Sequence, residues 1–392
     1  MTVVPLFDLK EQNRALEDSF RTAFDRVLAS GQFILGKELE QFEEKVAAYL
    51  GVRHSIGVSS GTDALLLALM ALKIQPGDEV ICPSFTFFAT AGSIARLGAV
   101  PVFVDCCPVC FNIDAEDAAK KISKKTRAIM PVHLFGQAAN MDALARLADG
   151  KNIAIIEDAA QAIGAIHKSK KVGGIGTLGA FSFFPTKNLG GFGDSGMLTT
   201  NDGALADFAR ILRVHGSKPK YYHHHVGGNF RMDPLQAALL SVKLNHLDEY
   251  AENRRLNARF YSENLSKISG AALAVHGNHC PIEPDFSGAR LILPTECEYN
   301  HHIWNQYTLR VIGDKRDALR QFLQENGVGA EIYYPVPLHQ QECFKPFIKK
   351  SQKLPQSKKI AQECLSIPIF PELTSAQKTR VVEMIAEFFK KR

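Results

Sequence analysis

Between residues 55 and 200 the chain alternates short, continuously apolar runs with stretches of helical spacing. The runs at 80–82, 101–105, 128–132 and 154–158 are apolar on both faces, as expected of strands covered by helices on each side. Between them, residues 62–72, 90–97, 115–122 and 141–148 read as helix-like stretches. Strands separated by single helices read as βαβ units around a mostly parallel, seven-stranded-type sheet, an α/β fold. The pattern then changes. Residues 234–265 predict one long amphipathic helix, 269–300 are rich in Pro, Gly and Asn, 306–311 predict a strand and 315–326 a helix. The lysine-rich stretch 349–359 reads as a solvated loop, and 375–392 as a closing helix with Ser375 as its N-cap.

This change divides the chain into a large domain, residues 1–245 including an N-terminal segment 1–30, and a smaller α+β domain, residues 246–392. Length agrees, since 392 residues at roughly 150 per domain give two or three. Hydrophobic residues at 46% and charged residues at 22% exclude disordered, collagen-like and disulfide-scaffold classes. The longest apolar stretch, 64–72, falls well short of the ~20 residues of a membrane span. The first ten residues carry acidic and polar side chains too early for a signal peptide. The net charge of +5 gives no reason to expect nucleic acid. A cytoplasmic chain with no membrane or nucleic-acid partner is expected.

Eight cysteines stand at 82, 106, 107, 110, 280, 297, 343 and 364, with one CxxC pair, Cys107 and Cys110. No second pair completes a zinc site, so reduced thiols are the better reading. Two segments match GxGxxG, beginning at Gly174 and Gly191. A dinucleotide site needs strand, glycine turn and helix in that order, whereas both matches here run into strand-like residues, 180–184 and 197–200. Tight turns explain these glycines better. The run His223, His224, His225 cannot converge on one ion from a regular element and reads as a polar loop, so no metal site is expected.

Three other segments carry chemistry. Ser59, Ser60, Gly61 and Thr62 open the strongly apolar helix 62–72, and free amides at a helix start attract phosphate. Asp158 ends an apolar strand, where α/β folds bind ligands, and a buried carboxylate there calls for a cationic partner. Lys187 sits in an aromatic and glycine-rich passage, from Phe181 to Gly191. Desolvation lowers a lysine's pKa toward neutrality and makes it competent for Schiff-base chemistry. A phosphate site, a cation-binding carboxylate and a nucleophilic lysine are together what pyridoxal phosphate requires.

With these segments in view, the chain resembles the sugar aminotransferases of the DegT/DnrJ/EryC1/StrS family, pyridoxal-phosphate enzymes of the aspartate aminotransferase fold (fold type I). The resemblance runs from Gly36 to His339. It is carried by Ser60-Gly-Thr62, Pro83-Ser-Phe-Thr-Phe87, Glu157-Asp-Ala-Ala-Gln161, Ser182-Phe-Phe-Pro-Thr-Lys187 and Gly228-Asn-Phe-Arg-Met-Asp233. It implies that Lys187 holds pyridoxal 5′-phosphate as a Schiff base and shuttles protons, with the pyridoxamine form arising during turnover. Asp158 would pair with the pyridine nitrogen, and Gln161 would meet the ring's phenolic oxygen. Gly61, Thr62 and Ser182 would hold the phosphate, and Phe87 would stack on the ring. Asn229 would reach the phosphate from a neighbouring subunit, implying a homodimer with shared sites. Arg231, Tyr333, Tyr334 and His339 would line the sugar pocket, although relatives often have His-Tyr-Pro where this chain has Tyr333-Tyr334-Pro335.

The implied reaction moves an amino group from glutamate to a keto group of a UDP- or dTDP-linked sugar, in amino-sugar, polysaccharide or lipopolysaccharide biosynthesis. Members acting at C4 more often carry His where this chain has Phe184, so the resemblance favours C3, with C4 as the alternative. A related sugar dehydratase has His in place of the lysine, against which Lys187 argues. A catalytically inactive cofactor-binding regulator should have lost Asp158, Lys187 or Asn229, and all three are present.

Overall fold

In a computed structural model, residues 3–275, 286–348 and 353–390 are described. Seven strands form the main sheet in the order His54–Val58, Gly196–Thr200, Leu178–Ser182, Ala154–Asp158, Thr126–Ile129, Glu79–Pro83, Val100–Val104. All run parallel except Gly196–Thr200, which is antiparallel to both neighbours. The reason lies in its connection. The segment 183–195 contains no helix, and a parallel return would need a crossover of helical length. The mostly parallel α/β architecture is therefore as expected.

The helix Gly61–Ala71 lies against this sheet with Ala64, Leu65, Leu67, Ala68 and Leu69 all buried, so it is apolar around nearly its whole circumference. Phe88–Arg96, Ala115–Lys121 and Met141–Ala148 are the other helices foreseen from spacing. A four-stranded sheet in the C-terminal part runs Ala271–Leu273, Leu291–Leu293, Tyr307–Val311, Cys364–Ile367. It is covered by Leu247–Leu265, Arg316–Glu325 and Ser375–Lys390.

Four expectations change. Residues 234–265 form two helices, Pro234–Leu244 and Leu247–Leu265. The break falls at Asn245 and His246, both weak helix formers. The second helix begins in the core of the large sheet with Leu247 and Ala251. It ends in the C-terminal core with Ala258, Tyr261 and Leu265.

The lysine-rich stretch is not all loop, because Pro355–Glu363 is helical; residues 349–352 lie outside the described residues. Its free N-terminal amides are satisfied from far away. The Gln356 and Ser357 amides donate to the Asp105 carboxylate at 2.9 and 2.6 Å, a cap that local sequence cannot reveal. At the closing helix, Thr374 rather than Ser375 is the cap. Its Oγ1 accepts from the Gln377 amide at 3.2 Å, and the Gln377 Oε1 accepts from the Thr374 amide at 2.9 Å, a reciprocal capping box.

The N-terminal segment is shared between the two parts rather than belonging to the large one. Val4 is bonded to Gly327 and Gly329 at 2.8 Å and is buried in the C-terminal core. The helix Glu17–Ser30, by contrast, packs Ala23 and Val27 on Ala238.

Cys82, Cys106, Cys107, Cys297 and Cys364 are buried; Cys280 lies outside the described residues. The CxxC pair is a turn in which the Cys107 sulfur accepts from the Val109 and Cys110 amides. Among the described residues, no helix is long and apolar enough to cross a membrane.

Candidate active site

The strand ends of the main sheet and the start of the Gly61–Ala71 helix converge on a cavity of about 440 Å³. Asn305, Gln306, Tyr333 and Tyr334 from the C-terminal part close its far side. At the helix start, Ser60 is extended and its Oγ accepts from the Asp63 amide at 3.0 Å. The first intrahelical bond runs from Ala64 to the Ser60 carbonyl at 2.9 Å. Gly61 and Thr62 line the cavity, and their amides, one turn too early for an intrahelical acceptor, lie at the positive end of the helix. Two glycines make this corner possible. A Cβ on Gly61 would meet the Ser182 Cβ at 2.6 Å, and one on Gly196 would meet the Ser60 carbonyl at 2.5 Å.

Asp158 ends its strand almost fully buried. Thr90 Oγ1 donates to its Oδ2 at 2.8 Å and the Ala160 amide to its Oδ1 at 3.2 Å. Burial pushes the Asp158 pKa upward, opposed by the Thr90 bond, the Ala160 amide and the charge of Lys187. Burial also lowers the Lys187 ammonium to about 8, with Asp158 pulling the other way.

Lys187 is held by its loop. Its amide bonds the Phe184 carbonyl at 2.9 Å, and the neighbouring Asn188 donates to the Ile303 carbonyl at 2.9 Å while accepting from Asn305 Nδ2 at 2.8 Å. Lys243, itself buried, donates to the Gly190 carbonyl at 2.9 Å.

The Asp158 strand end has its own brace. Glu157, fully buried, accepts from the amides of Gly173, Ile175 and Gly176 at 2.6 to 2.8 Å and pairs with His133 Nε2 at 2.9 Å. His133 Nδ1 accepts from the Ala139 amide at 3.0 Å, so Nε2 carries the proton that Glu157 receives. Burial alone would raise the Glu157 pKa; the bonds from His133 and from the Gly176 and Gly173 amides outweigh it and hold the group below the ordinary carboxylate range. One glycine of the first GxGxxG match, Gly176, thus serves a carboxylate of this chain together with the preceding Gly173 and with Ile175. The second match packs Gly191 and Gly193 against Gln236.

Of the residues singled out from sequence, Gly61, Thr62, Phe87, Asp158, Gln161, Ser182, Lys187, Tyr333 and Tyr334 all line the cavity. Asn229, Arg231 and His339 do not line it within a single chain. Asn229 is exposed, and its backbone is bridged to Val214. Arg231 is bridged to Val58, its Nε buried without a partner. The His339 Nδ1 meets Ser84 Oγ at 2.6 Å.

Sequence reasoning missed Thr90, His133, Asp194, Asn305 and Gln306. Thr90 lies close to the Phe87 motif and could have been found as a hydroxyl facing a strand end. The others are joined to the site only by folding. The histidine run 223–225 is exposed, and among the described residues no group of three His, Cys, Asp or Glu could hold a metal ion.

The chain is similar to known proteins along nearly its whole length. The family model for the DegT/DnrJ/EryC1/StrS aminotransferase family matches residues 14–386. A pleiotropic regulatory protein of Geobacillus stearothermophilus is 48% identical, covering 99% of each chain. UDP-N-acetyl-3-dehydro-alpha-D-glucosamine 3-aminotransferase of Acidithiobacillus ferrooxidans is 39% identical, covering 98% of this chain and 97% of its own. The crystal structure of S. venezuelae DesV in complex with a ketimine intermediate superposes with a TM-score of 0.91 at 39% identity, covering 100% and 99%. With an amine, a carboxylate and a helix N-terminus set around one cavity, and with this likeness along its whole length, the chain belongs to the DegT/DnrJ/EryC1/StrS aminotransferase family and is an enzyme of the transaminase type.

Proposed function

We propose that this enzyme moves an amino group from glutamate to the C3 keto group of a UDP- or dTDP-linked sugar, using pyridoxal 5′-phosphate held covalently on Lys187. The observation that carries the reading is the joint placement of Lys187, Asp158, Gly61 and Thr62 around one cavity. The donor set fits the group. A phosphate suits the helix start and Ser182, a protonated ring nitrogen suits the Asp158 carboxylate, and a carbonyl suits the Lys187 amine. When bound, pyridoxal phosphate supplies an electron sink for the carbon that gives up its proton.

The chain's own residues divide the remaining work. Asp158 holds a proton on the ring nitrogen through its charge. Lys187, with its pKa lowered to about 8, is neutral often enough near neutrality to accept and return a proton. Gln161, held between the Phe135 amide and the Tyr334 hydroxyl, lines the cavity, and Phe87 and Tyr334, with ring centroids 6.1 Å apart, give it an aromatic wall. The amino group leaves glutamate as a water supplies the keto oxygen of 2-oxoglutarate, and the sugar's keto oxygen leaves as water, so that no water is gained or lost overall.

Tyr333 and Tyr334 meet the sugar in this reading. Asn229, Arg231 and His339 complete the site from a second copy of the chain or from the pocket rim. The exposed, outward position of Asn229 supports a homodimer with shared sites. A cytoplasmic location follows from soluble substrates, and the large and small parts act as two domains meeting near residue 245.

The reconstituted protein should be yellow and lose its visible band on addition of glutamate. Protein that stays colourless with pyridoxal phosphate overturns the reading. Lys187→Ala should abolish the adduct trapped by borohydride. The reverse half-reaction, run with amino-sugar nucleotides and 2-oxoglutarate, separates C3 from C4 and UDP from dTDP. The Geobacillus relative's name favours one second reading, a regulator. It would be supported by protein that binds the cofactor but transfers no amino group from any donor.

A further inference from the structure

The Asp158 carboxylate has two donors among the described residues, the Ala160 amide and Thr90 Oγ1. Thr90 is wholly buried, and its hydroxyl also lies 3.1 Å from Thr86 Oγ1, a second buried hydroxyl on the cavity wall. A hydroxyl has one proton to give. The ionised carboxylate accepts only, so Thr90 gives its proton to Asp158, and Thr86 must be the donor to Thr90. The three groups form an ordered chain pointing from the cavity toward the carboxylate.

We propose that Thr86 and Thr90 form a two-hydroxyl relay that holds Asp158 in its ionised, accepting state, with Thr90 as its positioning residue. The role assigned to Asp158 rests on the cofactor reading above; the relay itself belongs to the protein without cofactor. Its direction is set by one proton. Were Asp158 protonated at Oδ2, both hydroxyls would have to reverse, and Thr86 would turn its proton into the cavity. The relay thus makes protonation of Asp158 cost two rearranged bonds as well as the loss of charge, and each bond polarises the next.

The other groups that face Asp158 are Lys187 from the loop after its neighbouring strand, His133 from the segment bonded to its carbonyl, and Tyr334 from the C-terminal part. None of them is altered by substitutions at 86 or 90.

The test is the titration of Asp158 in cofactor-free protein. It is followed by nuclear magnetic resonance of isotopically labelled aspartate carboxyl carbons, the signal being identified by its loss in Asp158→Asn. Thr90→Val should move the midpoint upward by about one to two pH units, the size expected for losing a hydrogen bond to a charged group. Thr90→Ser should restore it, and Thr86→Val should move it upward by less. A midpoint unchanged in Thr90→Val overturns the relay. If Thr90→Val fails to give the wild-type circular dichroism spectrum, an unchanged midpoint in Thr86→Val overturns it instead.

In parallel, Thr90→Val should weaken equilibrium binding of pyridoxal 5′-phosphate by about tenfold or more, with Thr90→Ser near wild type. Wild-type protein that binds no pyridoxal phosphate would overturn the cofactor reading, while the titration would still decide the relay.

Discussion

The Gln161 Nε2 donates a hydrogen bond of 3.0 Å to the phenol oxygen of Tyr334, joining the end of the Asp158 strand to the C-terminal part of the chain. The other end of the same amide, Oε1, accepts from the Phe135 amide at 2.8 Å. Both ends of Gln161 are thereby assigned, and its orientation follows. Tyr334→Phe removes one partner and leaves the other. It should lower stability by about 0.5–1.5 kcal/mol, read from the urea midpoint. An unchanged midpoint would mean that the bond contributes nothing to closing the cavity.

Lys187 gives a pH dependence with a definite sign. Its ammonium is lowered to about 8 in the folded protein against roughly 10.4 in an unfolded chain. Between those values the unfolded state binds more protons, so this group makes stability rise with pH across that window. Below it, burial of the charge destabilises the fold in full. Cofactor-free Lys187→Met should therefore be the more stable protein at pH 7, by on the order of 1–3 kcal/mol. Its advantage should shrink as pH rises past 8. Comparison with this variant is needed because burial lowers Lys243 to about 8 as well. Parallel stability curves for the two proteins would contradict the assignment.

Gly196 tests the helix-start corner without touching any cofactor-facing side chain. A Cβ there would sit 2.5 Å from the Ser60 carbonyl carbon and 2.7 Å from the Gly61 amide nitrogen. Both neighbours are backbone, so the turn itself must move. Gly196→Ala should weaken binding of inorganic phosphate and pyridoxal phosphate together, by about tenfold, and lower stability by about 1–3 kcal/mol. Isothermal titration measures the first. Unchanged phosphate affinity would place the anion site elsewhere.

Glu157 stabilises the strand end through a fully buried charge. Glu157→Ala leaves His133 and three amides without their acceptor and should cost about 3–5 kcal/mol, measured by urea unfolding. Because the carboxylate is held below its ordinary range, its contribution is complete above the unfolded-state value of ~4.3. It is lost only as pH falls through the lower folded value. The stability gap between wild type and variant should therefore hold down to about pH 4.3 and begin to narrow only below it.

Much of this molecule could be read before folding was considered. The apolar runs at 80–82 and 154–158 became strands because burial on both faces leaves a pattern that no neighbour can hide. Lys187, Asp158 and Gly61 stood out because an amine, a carboxylate and a glycine turn occupy local settings unlike a solvated surface. The Pro355–Glu363 helix could not be foreseen, since its cap is Asp105, far away in the chain. The same holds for the two hydroxyls aligned on Asp158, and for Glu157 holding the amides of Gly173, Ile175 and Gly176. Local sequence determined which groups could do chemistry, through periodicity, turn residues and side-chain type. Only tertiary structure decided which of them meet, because hydrogen-bond partners and desolvation are set by segments that come together after the chain has folded.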